Sequence, residues 1–209
     1  LADSLHQNTL VLADGIYSPS TTGEFFPLGM PSYVSLSGNT ETGVILDAEE
    51  RSNVLLFDHS QGTTLEKMTI TGGIARYGGG IYCSYSNPTL KKITLSWNVA
   101  TSSGGGIYCY DSNPLLFQVS IIHNAARWWQ SGGGGIFVHD SSPYLVNVTI
   151  AENEANRGGG LYSTWASNPV LVNSILWNGG QQEIYLENRD YASITIAYSD
   201  IQGGQSDIE

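Results

Sequence analysis

The sequence predicts an all-β solenoid: a parallel β-helix of about seven or eight rungs, each built from three short strands. Three observations carry this expectation. One pattern recurs four times in register: GGGIYC from Gly78 and again from Gly104, GGGIFV from Gly133, and GGGLYS from Gly158. Each copy runs on into a turn (Ser86-Asn87-Pro88, Ser112-Asn113-Pro114, Ser141-Ser142-Pro143, Ser167-Asn168-Pro169), then an apolar stretch, then a closing Asn at 98, 124, 153 or 178. The last residues of the apolar stretches, Leu95, Ile121, Ile150 and Leu176, recur at spacings of 26, 29 and 26. The segments between turn signals are 4–7 residues long and rich in Ile, Val, Leu, Thr and Tyr, which reads as strand rather than amphipathic helix. Within a stretch, Val148 and Ile150 share a face. Leu145, three residues before Val148, reaches the same core only if the chain bends between them.

Each element follows from that pattern. Residues 1–50 read as an irregular N-terminal cap with the first rungs, 51–178 as the regular repeats, and 179–209 as closing rungs, all of one β-helix domain. A weaker copy, LEKMTI from Leu65, leads to Gly72-Gly73 and opens the regular part. In every copy one strand follows the GGG and one lies on either side of the bend. Equivalent strands of successive rungs then stack about 4.8 Å apart. The recurring Asn suits a left-handed backbone at a corner and can bond to its neighbours above and below. Gly-Gly-Gly permits an unusual corner or close approach of backbone between rungs. Thirteen of the 25 glycines lie in these four runs, so the glycine excess is repeat geometry and not flexibility.

Composition narrows the function. The net charge is −11, with only 8 Lys and Arg in 209 residues, which excludes a basic nucleic-acid binder. No apolar run approaches the ~18 residues of a membrane-spanning helix. Low Lys, high Ser, Asn, Gly and Tyr, and the acidic balance fit an extracellular protein. The chain opens on Leu1 with no Met and no signal peptide, the pattern expected of a processed product or an excised fragment.

The stretches ITLSWNVATSSGGGIYC, VSIIHNAARWWQSGGGGIFV and VTIAENEANRGGGLYS resemble the repeats of polymorphic outer-membrane proteins. The shared element is apolar-x-x-Asn-x-Ala leading to Gly-Gly-apolar. The front, TLVLADGIYSP to VSLSGNTETGVILDAEE, and the tail, NSILWNGGQQEIYL to ITIAYSDIQGG, are similar to the first and closing rungs of secreted bacterial right-handed β-helix proteins. The resemblance implies a right-handed, pectate-lyase-like β-helix, secreted by or displayed on a bacterium. Activity follows from such a fold only weakly.

Several side-chain groups are candidates for function. The 29-residue rung carries its three extra residues in one loop, Arg127-Trp128-Trp129-Gln130-Ser131. Neighbouring rungs place Arg76-Tyr77 and Arg157 at the same edge, so three of the five arginines fall together. Trp stacking with Arg hydrogen bonds suits an acidic or neutral polysaccharide. The plainer reading is an interface, or Trp folded back over the sheet. Tyr82, Tyr108, Phe137 and Tyr162 should point outward as an aromatic ladder, either as simple cross-rung stacking or as a platform for sugar rings. A second outward column is expected to hold Trp97, His123, Glu152 and Trp177 on a plain solvated face. Cys83 and Cys109 share a register and an inward face with Ile81; stacked buried thiols and an inter-rung disulfide are both open, while zinc lacks ligand spacing.

Asp111 and Asp140 should stack on adjacent rungs, with Tyr85 and Trp165 on either side and His139 adjoining. Such a pair can share a proton or bind a cation, Ca²⁺ included, or be nothing more than solvated turn residues. The expected role is a non-catalytic module binding polysaccharide or another surface glycan, needing no cofactor, with flanking domains of a larger protein as further partners. The alternatives are a polysaccharide lyase or glycoside hydrolase using Asp111, Asp140 and His139, and a structural adhesin stalk.

Overall fold

The computed structural model describes residues 8–40, 42–128, 132–179, 182–187 and 191–207. Its architecture is a parallel β-solenoid of about seven turns, all pairings being parallel and between successive rungs. The face that follows each GGG is a seven-stranded sheet. It stacks Leu28–Gly29, Leu55–Asp58, Ile81–Ser84, Ile107–Tyr110, Ile136–His139, Leu161–Thr164 and Ile184–Leu186. The second and third faces are the two halves of the apolar stretch. In Thr64–Thr71 and Thr89–Ser96 both halves belong to one bent strand. In later rungs they separate, as Leu115–Phe117 with Ser120–Ile122 and Tyr144–Val146 with Thr149–Ala151. The stacking begins with Asn8–Leu12 on Val34–Gly38 and Gly15–Tyr17 on Val44–Asp47.

The expected bend is present at one residue per rung. Lys67, Lys92, Gln118, Asn147, Asn173 and Tyr198 all take the left-handed backbone, with φ between 50° and 57°. That single reversal turns Leu90, Ile93 and Leu95 into one core, and all three are buried, as are Leu116, Val119 and Ile121 in the next rung. The three predicted strands per rung form, and a fourth segment also pairs: Ile74–Tyr77, Val99–Ser103 and Ala125–Ala126 make a short sheet on the edge before the glycines.

The corner Asn residues differ from the expectation in one respect. At Asn98, Asn124 and Asn153 the left-handed residue is the one before, Trp97, His123 or Glu152, with φ of 57°, 55° and 56°. That turn aims the Asn side chain into the solenoid, where it forms a buried ladder. Asn98 Nδ2 donates to Asn124 Oδ1, Asn124 Nδ2 to Asn153 Oδ1, and Asn153 Nδ2 to Asn178 Oδ1, at 2.8–3.0 Å. Each Oδ1 also accepts the backbone N–H of the Asn one rung earlier, so backbone and side chain are satisfied together. The glycines make room for this column. A Cβ on Gly80, Gly106 or Gly135 would first meet the glycine carbonyl one rung on, at 2.7 Å, with the Asn amide next to it at 3.0–3.4 Å, and on Gly160 it would meet the Asn178 amide at 2.8 Å. The first glycine of each run, Gly78, Gly104, Gly133 and Gly158, supplies the corner itself, with φ of 58–70°. Where the ladder ends, Glu183 stands in the register of Gly160, and its carboxylate accepts from the side-chain amide and the backbone N–H of Asn178 at 2.6 and 2.7 Å.

The Ser of each turn forms a second internal column. Ser60, Ser86, Ser112, Ser141 and Ser167 are buried, and the backbone N–H of each of the first four donates to the Oγ of the next, at 2.8–3.0 Å. Cys83 and Cys109 are both buried and unbonded, and burial first, then the contact with Cys109, pushes the Cys83 thiol up. Among the described residues no helix is long and apolar enough to cross a membrane.

Candidate functional site

Alternation along the first face puts Ile81, Cys83 and their equivalents inside and leaves the residues between them outside. Tyr82, Tyr108, Phe137 and Tyr162 therefore align, as expected. Consecutive ring centroids lie 5.5, 5.1 and 4.9 Å apart with interplanar angles of 4°, 3° and 19°. Tyr185 extends the stack at 4.9 Å. The rings are half-buried or buried rather than free. Partial burial pushes the phenols of Tyr82, Tyr108 and Tyr162 above the usual tyrosine range. Tyr77 joins this column too, its ring 4.9 Å from that of Tyr108. Gly132 closes over it from the other side: a Cβ there would sit 2.0 Å from the ring of Tyr162.

The insertion edge divides the residues grouped there by sequence. Arg76, Thr101 and Arg127 follow the inward positions Ala75, Ala100 and Ala126 in successive rungs, so they share an outward column. Arg76 and Trp128 line one groove together with Thr101 and Ser102, of about 460 Å³. Trp128 is 54% exposed, and its backbone carbonyl is held by Asn156 Nδ2 at 2.9 Å. Arg127 is exposed beside it, its N–H bonded to Ala100 O. Arg76 also reaches over the ring of Tyr77 at 5.1 Å. Arg157 instead pairs with Gly132 and covers the ring of Tyr185 at 5.0 Å, at the upper end of the ladder. Tyr77 and Arg157 thus support the ring stack, while Arg76 and Trp128 face the groove. Trp129 lies outside the described residues. Sequence reading missed Thr101 and Ser102; their position three and four residues after Asn98 was the available signal, since Arg127 and Trp128 stand three and four residues after the equivalent Asn124.

Asp111 and Asp140 do occupy equivalent corners, and the backbone accounts for them. His59, Tyr85, Asp111, Asp140 and Trp165 are all left-handed there, with φ of 46–55°, a region Asp tolerates better than most residues. Both Asp side chains are exposed, and His139 Nε2 lies 3.5 Å from Asp140 Oδ2. Among the described residues no group of three or more His, Cys, Asp or Glu side chains is placed to hold a metal ion.

The second outward column is shorter than expected. Trp97 stacks on His123 at 4.5 Å, and His123 Nδ1 lies 3.0 Å from Glu152. Trp177, however, pairs with Ala151, one position short of the corner, because the closing rung turns at Gly179 and not at its Trp. Trp177 therefore stands on the flat third face.

Four stacked rungs with internal Asn and Ser columns and glycine corners define a continuous repeat. It coincides with a match to the family model for a right-handed β-helix region over residues 79–207, more than half of the chain. No curated protein and no solved structure matches the chain. On its repeats, its parallel stacking and this match, the chain belongs to the right-handed β-helix family.

Proposed function

We propose that this β-helix is a binding module for polysaccharide, secreted by or displayed on a bacterial cell, and that it performs no chemistry on its ligand. The single observation that carries the reading is the groove shared by Arg76, Thr101, Ser102 and Trp128. An exposed indole offers an apolar face to the C–H face of a sugar ring, a guanidinium offers paired N–H donors to hydroxyl or carboxylate oxygens, and two hydroxyls add adaptable partners. The groove stands on paired strands and on Trp128, whose carbonyl Asn156 holds, so little ordering entropy opposes binding. A low content of Lys and Arg makes the cluster of Arg76 and Arg127 the main cationic feature of this edge, which favours an acidic glycan. The surface location rests on composition and on the resemblance to secreted repeats.

The test is calorimetry with hexagalacturonate and with neutral oligosaccharides on the intact chain, Trp128→Ala and Arg76→Ala. We expect each substitution to weaken binding of the acidic oligomer at least about tenfold, roughly the worth of one stacking or charge-assisted contact. Unchanged affinity in both variants removes the groove from the mechanism. Unsaturated products or new reducing ends on uronate polymers would instead favour a lyase or hydrolase at Asp111 and Asp140.

A further inference from the structure

On the opposite side of the first face from the insertion edge lies a wider cleft of about 590 Å³, lined by Thr164, Trp165, Ala166, Glu187 and Tyr191. We infer that this cleft is a second ligand site, taking a neutral hexose residue of a glycan through the rings of Trp165 and Tyr191 and the Glu187 carboxylate. It stands independently of the Arg76–Trp128 groove.

Four features of the cleft point to that chemistry. Its two rings are 61% and 66% exposed, among the most exposed rings of the chain, and both line one concavity. Isolated exposed rings are ordinary, but two that converge on one cleft form a surface matched to the apolar face of a pyranose. Trp165 occupies a corner with φ of 55°, a conformation costly for a bulky side chain. Asp fills the same corner in the two preceding rungs, so the fold does not require Trp there.

Both rings are also held in place. His139 lies against Trp165 from the rung below, ring centroids 5.3 Å apart, and is itself stacked on Tyr110 at 5.1 Å. Tyr191 is followed by the buried Ala192, and Ser193 then bonds back to the rung of Trp165 through its N–H to Ser167 O and its Oγ to Asn168. Finally, Thr164 Oγ1 donates to Glu187 Oε2, which fixes the carboxylate on the wall of the cleft as an acceptor for ligand hydroxyls. A carboxylate there opposes a uronate and favours a neutral sugar. The two sites therefore differ in charge preference: guanidinium and indole in the groove, carboxylate and two rings in the cleft.

The test uses the full chain labelled with 5-fluorotryptophan, whose five indoles give separate ¹⁹F resonances assigned by single Trp→Phe replacements. Cellohexaose, mannohexaose, laminarihexaose and hexagalacturonate are titrated in turn. At least one neutral oligomer should move the Trp165 resonance saturably with Kd below about 10 mM, the range of a single sugar-on-ring contact. Tyr191→Ala should weaken that binding about tenfold and Glu187→Gln about threefold, while Trp128→Ala leaves it unchanged. A Trp165 resonance unmoved by all three neutral oligomers overturns the inference. So does a shift that survives Tyr191→Ala unchanged, or one produced as strongly by hexagalacturonate. The Trp128 resonance, read in the same spectra, reports the groove separately, so failure at one site is distinct from failure at the other.

Discussion

The ring column of Tyr82, Tyr108, Phe137 and Tyr162 and the ring of Trp128 lie on neighbouring edges of the same rungs, and they do opposite things. In the column each ring is stacked on the next at about the strand spacing, Tyr77 packs against Tyr108, the loop glycine Gly132 lies against Tyr162, and Arg157 covers the terminal Tyr185. Its surface is already spent on the fold. Trp128 sits on the insertion, its backbone carbonyl held by Asn156, and keeps its indole in solvent beside Arg76. An aromatic residue at a repeat position is thus held by its own copies, whereas one placed where the repeat slips has no copy to stack on and is left for something else. Trp165 differs from the column in another way: it fills a repeat corner that Asp holds in the two preceding rungs, so no ring at its own position stacks on it from below.

The comparison can be broken at several depths. The largest effect is expected inside the solenoid. Asn124→Ala leaves the backbone N–H and side-chain amide of Asn98 without their acceptor in a dry interior. Two orphaned donors should cost about 3–5 kcal/mol of unfolding free energy in urea titration. A loss near zero would mean that the ladder is ornamental.

Removing a ring from the stacked column should cost less. Tyr108→Ala should lose about 2–3 kcal/mol while leaving hexagalacturonate affinity unchanged, since the ring packs between Tyr82 and Phe137 rather than in the groove. Tyr108→Phe sharpens the point, because Phe137 already shows that the column accepts a ring without a hydroxyl. Burial raises the Tyr108 phenol above its ordinary value of about 10. The folded state therefore favours the protonated phenol, and this contribution is fully present below pH ~10 and declines as pH rises past it. Stability measured between pH 9 and 11, a window set around that ordinary value, should fall less steeply in Tyr108→Phe than in the intact chain.

Smaller effects are expected where the column positions are imperfect or vacant. Ser163 takes the inward position that Cys83, Cys109 and Val138 hold in earlier rungs, and among the described residues its buried hydroxyl has no partner. Ser163→Ala should raise stability by about 1 kcal/mol. Trp128→Ala should leave stability within about 0.5 kcal/mol, because an exposed loop ring supports nothing. A marked destabilisation in that variant would show that Trp128 belongs to the fold, not to a ligand.

The period of 26–29 residues, the strand on either side of a bend, the inward thiols and the aromatic ladder were all legible in the sequence. The reason is that a solenoid repeats its environment: each side chain stacks on its equivalent, so alignment of the copies is already a contact map. The corner chemistry was legible only in part, since the repeating Asn was plain but the left-handed turn falls on the residue before it, where Trp97, His123 and Glu152 share no side-chain type. The serine column likewise read as a turn, because a Ser before Asn-Pro looks the same whether its hydroxyl meets water or the next rung. What only the tertiary structure decided is everything without a copy. It parted Arg76 and Trp128 from Tyr77 and Arg157, brought Thr101 and Ser102 to the groove, and set Tyr191 opposite Trp165. The groove contacts join segments of unequal length across the insertion edge, and the cleft contacts lie on the opposite side of the first face; in both places the partners come from positions that do not repeat, and no periodicity encodes how they meet.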